Sequence, residues 1–166
     1  MSPPATPHGV LFVCLGNICR SPLAEAIFLH AARQRDVLHH FDVDSCGTGG
    51  WHAGEGADPR SLAVAARNGV PMVHVARQLD IQRDAARYAT IIAMDRSNRR
   101  GIVAAAETAG ISVPPVRLML EFATSGDQGE DVPDPYYGGD EGFQRVFEML
   151  DDACAGLLDQ LVRQRK

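Results

Sequence analysis

No apolar run of roughly 18 residues or more occurs in this 166-residue chain, so no membrane span is expected. Positive charge is not in excess either. Sixteen Lys and Arg face 21 Asp and Glu, a net charge of -5, whereas nucleic-acid binders are usually basic, so no nucleic-acid partner is expected. Lysine is nearly missing, with Lys166 its single occurrence, a bias that decides nothing about mechanism. The four cysteines, Cys14, Cys19, Cys46 and Cys154, form no Cys-x-x-Cys pair and no Cys/His cluster with zinc spacing. No Gly-Lys-Ser/Thr sequence is present, so a nucleotide P-loop is excluded. Neither a metal nor another cofactor is expected. The Met1–Gly9 stretch has three prolines and no charged n-region, which argues against a secretory signal. Residues 1–8 read as a disordered lead-in, and the chain as cytoplasmic with reduced thiols.

What is present suits one globular domain over residues 1–166, with 45% hydrophobic and 22% charged residues. Val10–Val13 is an apolar run that reads as a buried strand ending at Cys14. Ser21 reads as the N-cap of a following helix, with Pro22 at its first position. Further strands are expected at Phe41–Ser45, Thr90–Met94 and Val116–Leu118. Helices are expected after Asp58-Pro59, over Asp80–Ala86, from Ser97 to Ala109 and over Glu141–Arg163. Short apolar strands alternating with helices predict an α/β fold, a parallel sheet with helices on both faces. In such sheets ligands bind beyond the carboxyl ends of the strands, where Cys14 falls.

The loop Cys14-Leu15-Gly16-Asn17-Ile18-Cys19-Arg20-Ser21 carries the chemistry. A strand-to-helix loop whose backbone N–H groups turn inward, backed by a helix N-terminus, holds a phosphate dianion. Gly16 and Asn17 tolerate the left-handed conformations such a loop needs. Arg20 can grip two phosphate oxygens with its planar fork, replacing the magnesium of other phosphoryl-transfer sites. A helix N-terminus and a nearby arginine favour thiolate over thiol, and the thiolate is the nucleophile, which nominates Cys14. Ser21 can donate a hydrogen bond to that sulfur. Inorganic phosphate and other oxyanions are therefore expected ligands. Cys-x5-Arg by itself is weak, and a buried structural cysteine is its bland alternative. The strand before it and the helix after it give it weight.

A poor leaving group such as tyrosinate needs an acid. Asp134 in Asp-Pro-Tyr-Tyr is the foremost candidate, with Asp131 and Asp140 as competitors on the same long polar loop, Glu121–Gly139. Tyr136 and Tyr137 can wall a substrate ring. A plain Asp-Pro turn with two surface tyrosines is the alternative.

The anion loop and the distant Asp-Pro-Tyr-Tyr together resemble the low-molecular-weight protein tyrosine phosphatases. The likeness runs from about Val10 to Leu161. It includes Gly47-Thr48-Gly49 with Trp51-His52, His74 with Ala76-Arg77-Gln78-Leu79, and Met94-Asp95-Arg96-Ser97-Asn98. The resemblance implies a four-stranded parallel sheet in a three-layer αβα fold. It implies Cys14 as nucleophile, Arg20 as phosphate clamp, and Asp134 as general acid and then base. It implies a phosphotyrosine protein as substrate, with a bacterial tyrosine kinase among the partners of relatives. Asn17, Ser45 and His74 match bracing positions. Leu15, Ile18, Trp51, Tyr136 and Tyr137 match the walls of the family's cleft, and Cys19 the family's second cysteine, either a packing residue or the partner in a reversible disulfide. Cys46 departs from the family's common alanine.

Rival readings remain distinguishable. An arsenate reductase shares the loop but needs relay cysteines, and none lies between Cys46 and Cys154. A protein-arginine phosphatase usually has threonine where Ile18 stands. A catalytically dead binding module is expected to lose Cys14 or Asp134, and neither is lost. A redox sensor built on Cys14 and Cys19 is compatible with an enzyme.

Overall fold

The computed structural model describes residues 6–165. In chain order it forms β1 (His8–Cys14), α1 (Arg20–Gln34), β2 (Phe41–Gly47), α2 (Pro59–Arg67), α3 (Ile81–Arg87), β3 (Thr90–Ala93), α4 (Arg96–Ala109), β4 (Val116–Leu118) and α5 (Asp140–Gln164). All strand pairings are parallel, in the order β2-β1-β3-β4.

β1 is a central strand buried on both sides, which explains its unbroken apolar run. Its alternate side chains serve two cores. Val10 and Phe12 pack with Phe28 of α1 and with Phe143, Leu150 and Leu157 of α5. Leu11 and Val13 pack with Tyr88 and with Ile102 of α4 on the other side. The fold is therefore three-layered, with α1, α2 and α5 over one face and α3 and α4 over the other. The apolar side expected of the last helix is buried along its length, from Phe143 to Leu161.

Two expectations need correction. His8 is not part of a lead-in: it opens β1, pairs with Phe41 of β2, and its Nε2 hydrogen-bonds Thr90 Oγ1 at 2.6 Å. A flanking polar residue joins the strand because both neighbours offer it partners. Residues 1–5, also assigned to the lead-in, lie outside the described residues. Ser21 is not an N-cap. Helix α1 already begins at Arg20, the cap position is Cys19, and no side chain caps it. The Ser21 hydroxyl is turned instead toward Cys14.

β1 and β3 end side by side, and the chain beyond each builds the site. The Met94 N–H donates to Val13 O, and the Val132 N–H donates to Met94 O. These two bonds draw the long polar loop over the sheet's carboxyl edge.

Candidate active site

The Cys14–Cys19 loop is held from behind. Asn17 adopts φ 59°, the left-handed backbone that asparagine tolerates. The Arg77 N–H donates to Asn17 Oδ1 at 2.9 Å, which fixes which end of the carboxamide is oxygen. The Asn17 NH2 then donates to Ser21 Oγ at 2.8 Å and to Ser45 Oγ at 3.0 Å. Ser21 Oγ accepts from Asn17 and lies 3.0 Å from Cys14 Sγ, leaving its proton for the sulfur or, less closely, for Cys46 O at 3.4 Å. Ser45 in turn donates to Glu25 Oε1 at 2.6 Å. His74 Nε2 hydrogen-bonds Asn17 O at 2.7 Å.

Backbone bonds complete the brace. The Thr48 and Gly49 N–H groups donate to the carbonyls of Cys14 and Leu15, and the Asp58 N–H to that of Ile18. Gly47 has to be glycine for this, because a Cβ there would stand 2.6 Å from Leu15 O.

Cys14 is 2% exposed at the floor of a cleft of about 390 Å³. Arg20 and Asp134 line the same cleft, with Leu15, Gly16, Ile18, Cys19, Trp51, His52, Tyr136 and Tyr137. Arg20 Nη1 donates to Asp95 Oδ2 at 2.7 Å and to Val132 O at 3.0 Å, while Nη2 stands 3.7 Å from Asp134 Oδ2. Burial pulls the Arg20 guanidinium down, but the Cys14 sulfur, Asp95 and Asp134 together hold it above its ordinary value. It is a permanent cation at the cleft floor.

Of the three aspartates offered by the long loop, Asp134 lines the cleft. Asp131 is engaged elsewhere, accepting from the Arg96 N–H at 3.1 Å and from Arg96 Nη1 at 2.8 Å. Asp140 begins α5 and is exposed. Asp134 Oδ1 accepts the Tyr136 N–H at 3.0 Å, a local turn stiffened by Pro135.

Asn17 and Ser21 belong to the loop expected to hold the phosphate. Their side chains are fully buried behind the loop and do not line the cleft. Ser45 and His74 sit with them in that brace. Burial pushes the Glu25 carboxyl up to about 7 and the His74 imidazole down from its usual value. Burial also pushes the Cys19 thiol up to about 12, with Asp58 and Cys14 adding to the effect. Among the described residues no group of three or more His, Cys, Asp or Glu side chains could hold a metal ion, and no helix is long and apolar enough to cross a membrane.

A family model described as low molecular weight phosphotyrosine protein phosphatase matches residues 9–166. The chain belongs to this family. It is 45% identical over 152 residues to a low molecular weight protein-tyrosine-phosphatase of Streptomyces coelicolor, covering 91% of this chain and 92% of that one. A protein tyrosine phosphatase of Entamoeba histolytica, crystallised with Hepes in its active site, superposes with a TM-score of 0.85 at 33% identity, covering 96% and 99% of the two chains. An arginine phosphatase of Drosophila superposes with a TM-score of 0.82 at 29% identity, over 92% and 96%. As a low-molecular-weight phosphatase the chain is a hydrolase.

Three residues of this phosphatase site carried no assigned role in the sequence alone. Asp95 anchors Arg20 and also accepts the Asn98 N–H at 2.7 Å, capping α4. Its place before a helix is a signal for the cap, but nothing in the sequence carries the contact with Arg20. Glu25 ends the hydrogen-bond chain behind Cys14, and nothing in a lone glutamate on α1 announced that. His52 lines the cleft next to Trp51 and pairs with Glu55 at 2.5 Å.

Proposed function

We propose that this phosphatase hydrolyses phosphotyrosine in protein substrates through a phosphocysteine intermediate on Cys14. The observation that carries the reading is the convergence of a sulfur, a guanidinium and a carboxyl group on one cleft floor, Cys14, Arg20 and Asp134.

Cys14 Sγ attacks phosphorus as a thiolate while Arg20 and the loop neutralise the phosphoryl oxygens. The bond from phosphorus to the tyrosyl oxygen breaks, and the Asp134 carboxylic acid gives its proton to that oxygen. Asp134, now a carboxylate, takes a proton from water as the water attacks phosphorus. The S–P bond breaks, inorganic phosphate leaves, and the Ser21 hydroxyl donates to the returning thiolate. The substrate ring lies between Trp51, Tyr136 and Tyr137, with Leu15 and Ile18 beneath. The partners this reading assigns are phosphotyrosine proteins, a tyrosine kinase among them, and the compartment is the cytoplasm.

Cys14→Ser tests the nucleophile. Turnover is expected to vanish while vanadate still binds, and retained turnover removes Cys14 from that role. Asp134→Asn tests the acid through kcat/KM, which reports the phosphoryl-transfer half of the cycle. Loss is expected to reach about 100-fold or more for poor aryl leaving groups and to be small for good ones. Equal slowing of both overturns the acid role.

A further inference from the structure

We propose that Arg60 is a positioning residue, the strut that holds the Asp134 loop at a fixed distance from the anion loop. The inference rests on the reading of Asp134 as the general acid.

Arg60 is the second residue of α2, far in sequence from both loops. Every nitrogen of its guanidinium is engaged. Nε donates to Asp58 Oδ1 at 3.1 Å and Nη2 to Asp58 Oδ2 at 3.0 Å. Nη2 also donates to Tyr136 O at 3.0 Å, and Nη1 donates to Gly138 O at 3.0 Å. The guanidinium carbon lies 4.6 Å from the centroid of the buried Phe143 ring and 5.6 Å from that of Tyr136. Arg60 thus grips the acid loop by two main-chain carbonyls and one ring.

The other end of the strut is tied down as firmly. The Asp58 N–H donates to Ile18 O at 2.8 Å, in the anion loop itself. Asp58 is 8% exposed, and Arg60 holds its carboxyl below the ordinary value, so the pair is charged throughout the working pH range. Ser61 Oγ, one residue further along α2, donates to Cys19 O at 3.3 Å. The path from Ile18 through Asp58 and Arg60 to Tyr136 ends at the acid, because the Tyr136 N–H donates to Asp134 Oδ1. Val132 anchors the loop on one side of the acid, but Tyr136 to Gly139 on the other side are exposed, and exposed loop segments do not hold a side chain to a fraction of an ångström unaided.

A salt bridge that merely caps α2 would affect stability alone. A strut affects proton delivery, and proton delivery matters in proportion to how poor the leaving group is. The measurement is kcat/KM across aryl phosphates of graded leaving-group pKa, with Arg60→Ala, Arg60→Lys, Asp134→Asn and the Arg60→Ala/Asp134→Asn double variant. Arg60→Ala is expected to lose about 10-fold or more with phenyl phosphate and less than about 3-fold with the best leaving group, the scale of a displaced catalytic group. Arg60→Lys, which keeps the charge but not the fork that spans two carbonyls, recovers only part of the loss. In the Asp134→Asn background Arg60→Ala leaves the leaving-group slope unchanged. Inhibition by vanadate stays within about 2-fold of the parent, since the anion loop keeps its own brace.

A steep Asp134→Asn slope together with an unchanged Arg60→Ala slope overturns the strut alone. A flat Asp134→Asn slope removes the acid reading and the strut with it. If Arg60→Ala does not fold, Arg60→Lys carries the same comparison, and a parent-like slope for it overturns the proposal.

Discussion

The Asn17 carboxamide has one orientation available, because the Arg77 N–H meets its oxygen and two serine hydroxyls meet its NH2 group. That single constraint passes along the chain to sulfur: Ser21 accepts from Asn17, so its proton is free to face Cys14. Breaking a fully buried network of this kind leaves polar groups unpaired at about 1–3 kcal/mol each. The cysteines divide in the same terms. Cys14 sits on the cleft floor beside a cation, whereas burial drives the thiols of Cys46 and Cys154 upward and Cys19 up to about 12. A raised thiol favours its protonated form. Any stability that Cys19 gains this way is complete below its unfolded value and is lost as pH climbs toward 12. In mildly alkaline solution iodoacetamide is therefore expected to label Cys14 first, and Cys19 only after urea unfolds the chain. Mass spectrometry of native and unfolded samples checks this, and native labelling of Cys19 at the rate of free cysteine would contradict it.

Elements are set by local signals where those signals are strong. Asp58 before Pro59, Asp80 before α3 and Asp95 before α4 each accept a backbone N–H at the start of their helix. Ser21 has the same composition cue and does something else, since the sulfur and Asn17 compete for its hydroxyl more effectively than the helix start does. Helix α5 carries a further constraint at Gly156. In a helix Gly→Ala ordinarily stabilises by about 1 kcal/mol. Here the added methyl would lie 2.1 Å from Phe122 O, a backbone atom that cannot swing aside. Overpacking of this kind costs about 1–3 kcal/mol, so the clash outweighs the propensity gain. Gly156→Ala is expected to lower the urea midpoint with an unchanged m-value. A raised midpoint would show that α5 can shift away from the 3-10 turn at Met119–Phe122.

Across the whole molecule, the sheet brings four separated stretches to one edge: the anion loop, the Trp51 loop, the segment around Asp95 and the Asp134 loop. The cleft mouth they form is apolar, with Trp51 and Tyr137 at 73% and 91% exposure. A phenyl ring that covers about 100 Å² of such surface gains about 2.5 kcal/mol, close to 100-fold. Phosphotyrosine peptides are accordingly expected to exceed phosphoserine peptides in kcat/KM by about that factor, and also to exceed phosphoarginine peptides, with rates unchanged in EDTA. A preference for phosphoarginine would align the chain with the arginine phosphatases that share its fold.

The elements and the candidate nucleophile were legible in the residues because they depend on short-range signals. Val10–Val13, Thr90–Met94 and Val116–Leu118 are apolar runs of strand length, and Cys14 to Ser21 is a contiguous motif. Asp134 stood foremost among Asp131, Asp134 and Asp140 in the sequence, but which carboxyl faces the cleft depends on which one an arginine on another element claims. Arg96 takes Asp131, and Asp134 is left facing Arg20. Asp95, Glu25 and Arg60 were silent for the same reason. Their partners lie 75, 20 and 76 residues away, and only the packed sheet and helices bring such distances to hydrogen-bond length.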